Sequence, residues 1–159
     1  NKRTSNQYKS YLTSKVMVPK INPKSEIVAK RKLRSVLLVD DDYTSNILCE
    51  TIIKRLDIAE EIEVVDNGED AFQFIKETCF TDKCPELILL DINMPKMDGL
   101  SMLKQMDEQV LRNRVIVFSN QDKQSDIDEA FRLGAKRYLL KSWAAPQDLV
   151  RIVEEALDN

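Results

Sequence analysis

The sequence predicts an α/β domain in which a five-stranded parallel sheet is covered by helices on both faces. From residue 35 onward a short apolar run is followed by a segment of helical periodicity, and this alternation occurs five times. The apolar runs are nearly continuous, which is typical of strands buried on both faces of a sheet. These observations together favour a doubly wound, three-layer sandwich.

Each element is predicted from its own periodicity and boundary residues. The five strands lie at 35–40, 62–66, 87–91, 114–119 and 137–140, and the five helices at 44–56, 69–78, 100–108, 125–133 and 146–157. Asp42 caps the first helix, Asn67 and Gly68 form the turn before the second, Gly134 ends the fourth, and Pro146 lies in the first turn of the fifth. The predicted buried faces of the first two helices are Ile47, Leu48, Thr51, Ile52 and Leu56, and Ala71, Phe72 and Ile75.

Residues 1–34 are predicted to be a basic flexible arm or linker, and residues 35–159 the folded domain. The arm lacks apolar periodicity and contains Pro19 and Pro23. Residues 1–35 carry ten Lys or Arg against Glu26 alone, about +9, whereas the rest of the chain carries 14 basic and 26 acidic residues, about −12. Basic runs of this kind are more often solvated linkers than nucleic-acid contacts, so no nucleic-acid partner is expected.

Composition favours a soluble, cytoplasmic protein. The hydrophobic fraction of 43% is sufficient for a core, and no apolar run approaches the roughly 20 residues that span a bilayer. The N-terminal stretch lacks the apolar centre of a signal peptide, so no membrane partner is expected. Cys49, Cys79 and Cys84 are odd in number and the chain has no histidine, so we expect reduced thiols rather than a zinc site.

Polar residues follow four of the five predicted strands. Asp40 and Asp41 follow the first strand, Asp91 ends the third, Ser119 ends the fourth, and Lys141 follows the fifth. In an open α/β sheet, ligands bind in the crevice beyond the carboxyl ends of the strands. The sequence therefore predicts that these side chains share one site.

The chemistry of this set favours a divalent cation and a phosphate. Clustered carboxylates repel one another, so a stable cluster requires a cation. Oxygen ligands without histidine or thiolate suit Mg²⁺, or Mn²⁺ in its place. Lys141 offers a point charge to a phosphate oxygen, and Ser119 offers a hydroxyl donor. Such a set is typical of phosphoryl transfer, in which positioning and charge neutralisation supply most of the rate.

Residues 35–157 resemble the receiver domains of two-component response regulators. The stretch Asp-x-x-Met-Pro-x-Met-Asp-Gly that begins at Asp91 is highly specific for that family. The other matching positions are Val39-Asp40-Asp41, Ser119 and Tyr138-Leu139-Leu140-Lys141. The resemblance implies the flavodoxin-like, or CheY-like, version of the doubly wound sandwich.

The resemblance also implies the role of each site residue. Asp91 would accept the phosphoryl group, and Mg²⁺ would be held by Asp40, Asp41, Asp91 and the backbone carbonyl of Asn93. Lys141, Ser119 and Asn120 would contact the phosphoryl group. Ser119 would also form the switch together with Tyr138. Both would move inward on phosphorylation and change the face made by the helix at 125–133 and the fifth strand.

The sequence departs from the family pattern at two positions. Ser142 follows Lys141 where receivers usually carry a proline, which leaves the geometry of Lys141 open. Asn120 follows Ser119 where a small residue is usual, and its amide would crowd or hydrogen-bond the phosphate. Asn93 and Gln121 are at positions where the family tunes dephosphorylation, so they bear on phosphate lifetime. The neighbouring Trp143 is expected to pack near Lys141 without chemistry.

The function that the resemblance implies is a signalling switch rather than an enzyme with a diffusible substrate. Asp91 would take its phosphoryl group from a histidine kinase or a phosphotransfer protein and would catalyse its own phosphorylation and slow hydrolysis. The output would be a protein partner or a linked domain outside residues 1–159, and the arm equally fits a linker from an upstream hybrid kinase. Homodimerisation stays open. The alternatives are a pseudo-receiver that acts as a constitutive interaction module, and an aspartyl-phosphate phosphatase, which predicts a second acid where this chain has Asn93.

Overall fold

The structure, a computed structural model, describes residues 32–111, 113–142 and 146–157. Most of the predicted arm and the expected packing of Trp143 lie outside these residues. The first strand begins at Leu33, two residues before its predicted start at residue 35.

Five strands form one parallel sheet, as predicted. They are β1 (Leu33–Val39), β2 (Ala59–Val65), β3 (Leu87–Leu90), β4 (Val115–Ser119) and β5 (Arg137–Leu140). Their order across the sheet is β2-β1-β3-β4-β5, which is the flavodoxin-like order. The phosphoacceptor candidate Asp91 therefore follows the central strand.

The described helices are α1 (Tyr43–Arg55), α2 (Gly68–Thr78), α3 (Gly99–Gln105), α4 (Glu108–Leu111), α5 (Gln124–Arg132) and α6 (Pro146–Leu157). The sequence predicted one helix over 100–108, but α3 ends at Gln105 because Met106 adopts an extended backbone, and a separate short helix follows. Within the described part of the chain, no helix has both the length and the apolar character that crossing a membrane requires.

Helices cover both faces of the sheet, which confirms the three-layer arrangement. One face packs against α2, α3 and α5 through Ala71, Ile75, Met102, Leu103, Ile127 and Ala130. The other face packs against α1 and α6 through Cys49, Ile53, Leu149 and Val153. Successive residues of a strand point to opposite faces of the sheet. Because helices cover both faces, both sets of side chains are apolar, and each strand appears in the sequence as a nearly continuous apolar run.

The predicted buried face of α1 is wrong. Ile47 and Leu48 are each 44% exposed and Leu56 is 40% exposed. The residues that α1 buries are Ser45, Asn46, Cys49 and Ile53. Two of these are polar because the first turn of α1 lies beside the polar end of the sheet, so counting apolar residues selected the wrong side of the helix.

The prediction of three reduced cysteines is also wrong. A disulfide joins Cys79, at the end of α2, to Cys84, three residues before β3. The loop between them returns the chain so tightly that their Cα atoms lie 4.0 Å apart, a separation that the linear sequence does not reveal. Cys49 is free and buried.

Candidate functional site

The carboxyl ends of four neighbouring strands bring the predicted polar residues together. Asp40 follows β1, Asp91 follows β3, Ser119 ends β4 and Lys141 follows β5. These strands are adjacent and in parallel register, so their ends meet at one edge of the sheet. Strand β2 contributes no residue to this set.

Three carboxylates form a cluster at this edge. Oxygen atoms of Asp40, Asp41 and Asp91 lie within 4.8 Å of one another. Asp40 and Asp91 are buried, whereas Asp41 is exposed. The backbone of Asp40 is fixed by α1, since the Asn46 side chain donates to its carbonyl oxygen at 2.8 Å. Burial of like charges at this separation is unfavourable unless a cation compensates.

Lys141 supplies one of the required positive charges. Its Nζ lies 2.5 Å from Oδ2 of Asp40 and 3.0 Å from Oδ2 of Asp91, and the lysine side chain is only 11% exposed. Burial raises the pKa of Asp40, although Lys141 opposes the shift. Burial alone would lower the pKa of Lys141, but its hydrogen bonds to the two carboxylates outweigh that effect and raise it. Three carboxylates and one lysine leave a local charge of −2, which one divalent cation balances.

The carboxylate of Asp91 is oriented by contacts to both of its oxygens. The Ser119 hydroxyl donates to Oδ1 at 2.5 Å, and the Asn93 backbone N–H donates to the same oxygen at 3.1 Å. Lys141 donates to Oδ2. Gly99 lies directly beneath, because a Cβ atom there would overlap the carbonyl oxygen of Asp91. Donors on three different segments thus fix this side chain.

Tyr138 lies inside the domain next to this edge. It is fully buried, and its hydroxyl donates to the backbone carbonyl of Gln121 at 2.6 Å. Burial raises the pKa of Tyr138. The backbone N–H of Gln121 in turn donates to Ser119 Oγ at 3.2 Å. Tyr138 and Ser119 therefore both contact the loop that follows β4.

The remaining predicted site residues lie at or near the protein surface. Asn93, Asn120 and Ser142 are exposed, and Gln121 is partly buried. The structure contains no cis peptide bond among its described residues, so the Lys141–Ser142 bond is trans.

Several residues that contribute to the site were not predicted from the sequence. Asn46 fixes Asp40, and the buried Ser45 hydroxyl lies near Asp40 without completing a hydrogen bond. The Nζ of Lys141 also lies 5.7 Å from the centre of the Phe118 ring. A cavity of about 10 Å³, roughly the room for one water molecule, lies behind Asp40 and Asp91. Asn46, Cys49 and Phe118 line it. The available signal was a pair of polar residues on the same side of α1 as Cys49 and Ile53.

Comparison with known proteins identifies the family. The profile described as "Response regulator receiver domain" matches residues 36–154, which is most of the chain. The chain belongs to this family. Its receiver domain includes all the elements described above except the first residues of β1 and the end of α6.

Similar proteins and structures support this membership. The nitrate/nitrite response regulator protein NarL of Escherichia coli K12 is 37% identical over 123 residues, which cover 77% of this chain and 54% of NarL. The chain therefore spans about half the length of that relative. A two-component response regulator from Cytophaga hutchinsonii has a TM-score of 0.69 at 29% identity, with 81% of this chain and all of that chain covered.

A further solved structure includes bound ions. The receiver domain of the histidine kinase CKI1 from Arabidopsis thaliana, complexed with Mg²⁺ and BeF₃⁻, has a TM-score of 0.61 at 25% identity. The match covers 77% of this chain and 90% of that chain.

Proposed function

We propose that this receiver domain is a phosphorylation-controlled switch in which Asp91 accepts one phosphoryl group. The observation that carries the proposal is the arrangement of the Asp91 carboxylate, which is buried yet contacted by a lysine, a serine hydroxyl and a backbone N–H. These are donors of the kind that stabilise phosphate oxygens. Nucleophilic attack by a carboxylate oxygen requires this fixed orientation more than it requires acid–base chemistry.

A divalent cation is part of the proposed reaction. Asp40, Asp41, Asp91 and the backbone carbonyl of Asn93 would hold Mg²⁺ or Mn²⁺, which fits the local charge of −2 and the all-oxygen donor set. When bound, the ion supplies charge neutralisation for the phosphate oxygens. The Mg²⁺ in the CKI1 receiver complex supports this assignment.

The side chains of this domain would provide the remaining stabilisation. A P–N bond to a phosphohistidine breaks, the leaving imidazole keeps its electron pair, and a P–O bond to Asp91 forms. Lys141 then exchanges its contact with Asp91 Oδ2 for a phosphoryl oxygen, and Ser119 Oγ donates to another. Asn120 is exposed and follows Ser119 in the chain, so its amide would crowd or hydrogen-bond the added group. Asn93 is exposed and Gln121 is partly buried. Both would control the access of water to the phosphorylated Asp91 and hence the lifetime of the phosphoryl group.

The switch would consist of Ser119, Tyr138 and the loop between them. In this structure Ser119 donates to Asp91 and Tyr138 is buried, and we assign this arrangement to the inward state of the proposed switch. Phosphorylation adds charge and acceptors at Asp91, so it would increase the population of this arrangement relative to an outward one. The face formed by α5 and β5 would change for the partner, because Tyr138 lies on β5 and also packs against Phe131 of α5.

The proposed partners follow from the family. The phosphodonor would be a histidine kinase or a histidine phosphotransfer protein, and the output a downstream protein or a linked domain. A homodimer is one form that such an output can take. Neither a diffusible substrate nor a phosphatase reaction is proposed, since the position two residues after Asp91 is Asn93 rather than an acid.

Intact-mass measurement after incubation with acetyl phosphate tests this function. The wild-type chain is expected to gain one phosphoryl group only when Mg²⁺ is present. Asp91→Asn should abolish the gain, whereas Asp122→Asn, an exposed aspartate after β4, should retain it. Mg²⁺ binding without any phosphoryl gain, tested also with a phosphohistidine donor, would favour the pseudo-receiver instead.

A further inference from the structure

Phe118, the penultimate residue of β4, lies beside the ammonium group of Lys141. The Nζ atom of Lys141 lies over the Phe118 ring, 5.7 Å from its centre. A cation within about 6 Å of a ring face is attracted to the negative charge of that face, and the attraction is larger where water is excluded. The Lys141 side chain is 11% exposed and Phe118 is 7% exposed, so little water screens this contact.

The sheet places the ring on the same face as the two buried carboxylates. Phe118 pairs with Leu139 across β4 and β5, and both belong to the apolar layer that packs against α1 and α6. Side chains alternate along a strand, so Lys141, two residues after Leu139, extends on that same face. Phe118 also lines the small cavity behind Asp40 and Asp91. The ring, the ammonium group and both carboxylates therefore lie on one side of the sheet.

The ring is a more rigid group than the lysine that it contacts. Phe118 lies within β4, which pairs with β3 on one side and with β5 on the other, and its side chain is buried. Lys141 follows the end of β5 and carries its charge on a long, flexible side chain. A group on a rigid strand can position a flexible side chain precisely. The ring can therefore fix the ammonium group at one point in the site.

The carboxylates alone would not keep Lys141 in place during the proposed reaction. Phosphorylation turns the carboxylate of Asp91, which Lys141 contacts at 3.0 Å, into a mixed anhydride with phosphate. Asp40 would be shared with a divalent cation, which repels an ammonium group. The Phe118 ring takes part in neither change. Its attraction for the ammonium group therefore persists when the two carboxylate contacts weaken.

We propose that Phe118 is a positioning residue for phosphoryl transfer, which acts by holding the Lys141 ammonium group within reach of the phosphoryl oxygens. The inference rests on the proposed function, because Lys141 would contact the phosphoryl group in that reaction. It adds the requirement that the residue before Ser119 supplies the charge distribution of an aromatic ring, and not apolar volume alone.

Stepwise fluorination of the Phe118 ring tests this requirement. Phenylalanine analogues with one, two and three ring fluorine atoms reduce the negative charge of the ring face in steps and keep its shape nearly unchanged. In the full chain with acetyl phosphate and Mg²⁺, the initial rate of phosphoryl gain should fall at each step, to about one fifth with three fluorine atoms. A role in packing alone predicts equal rates across the series.

The same analogues at Phe72 provide the matched control. Phe72 is a partly buried residue of α2 that packs against the opposite face of the sheet. Fluorination there changes a ring of the same kind without affecting Lys141, so the rate should stay constant. A thermal melt of each protein establishes that it remains folded.

Nuclear magnetic resonance of the metal-free protein measures the contact itself. Protons at the end of the Lys141 side chain should resonate upfield of those of the exposed Lys123, because a ring face shields the groups above it. Phe118→Leu should abolish this upfield shift.

The outcomes separate this inference from the proposed function. A missing upfield shift, or a rate that does not depend on fluorination although the wild type gains its phosphoryl group, would overturn the role of Phe118 and leave the proposed function standing. A wild-type chain that gains no phosphoryl group from acetyl phosphate or from a phosphohistidine donor would overturn both.

Discussion

The ammonium group of Lys141 lies 3.0 Å from Oδ2 of Asp91, although the strands that carry the two residues are separated by β4. A phosphoryl group or a divalent cation that bound at Asp91 would therefore compete with this contact between the lysine and the carboxylate. It also contacts Asp40, so its charge is shared by two carboxylates.

Replacement of Lys141 by methionine should tighten Mg²⁺ binding and weaken phosphorylation. Removal of the lysine leaves the cluster with a charge of −3, so the affinity for a divalent cation should rise by about tenfold, which corresponds to about 1.4 kcal/mol. Calorimetric titration with Mg²⁺ measures this change, with the exposed Lys123→Met as control. Unchanged Mg²⁺ affinity would show that Lys141 and the cation do not compete for the same carboxylates.

Replacement of Asp40 by asparagine should stabilise the metal-free protein at neutral pH by about 1 kcal/mol, because one buried repulsion is removed. The pKa of Asp40 is raised above 3.8 in the folded state, so its contribution to the free energy of unfolding is most favourable below pH 3.8. That contribution is lost as the pH rises through the raised pKa. Urea unfolding as a function of pH in wild type and Asp40→Asn, without metal, should show the difference growing with pH. A difference that is constant with pH contradicts the assignment to Asp40 ionisation.

Replacement of Tyr138 by phenylalanine should destabilise the loop after β4. The change removes the hydrogen bond to Gln121 and leaves a carbonyl group without that partner, at a cost of about 1 kcal/mol. Hydrogen exchange in residues 120–123 should accelerate while the acetyl phosphate reaction persists. Tyr43→Phe, at a tyrosine that is 77% exposed, is the matched control and should alter neither quantity. Identical exchange rates of residues 120–123 in Tyr138→Phe and wild type would show that Tyr138 does not stabilise this loop.

Removal of the disulfide by Cys79→Ser/Cys84→Ser should lower the free energy of unfolding by about 2 kcal/mol, the value expected for closure of a loop of about five residues. Alkylation before and after reduction measures the thiols directly. In the native oxidised protein none of the cysteines should react, since Cys49 is buried, and reduction should make two sites available. Alkylation of Cys79 and Cys84 without reductant would contradict the bond.

The site was more predictable from the sequence than the packing around it. Apolar runs ending in Asp40, Asp91, Ser119 and Lys141 placed these residues at the carboxyl ends of parallel strands, and adjacency in the sheet follows once the strand order is known. The strand order itself depends on contacts between distant segments, but the family resemblance supplied it. Helix boundaries agreed to within one residue except in the third helix, where Met106 has an extended backbone.

The errors share one physical cause, which is that tertiary contacts overrule local pattern. On α1, the apolar Ile47 and Leu48 face outward because Ser45 and Asn46 are needed beside Asp40. The pairing of Cys79 with Cys84 depends on how sharply the chain turns between α2 and β3. Neither feature can be obtained by counting hydrophobic residues in a window.

Asp91 follows the central strand, and its side-chain partners Ser119 and Lys141 both lie on one side of that strand, at the ends of β4 and β5. Strand β2, at the opposite border of the sheet, contributes no residue to this set. Substitutions at exposed positions of β2 are therefore expected to leave the contacts of Asp91 unchanged.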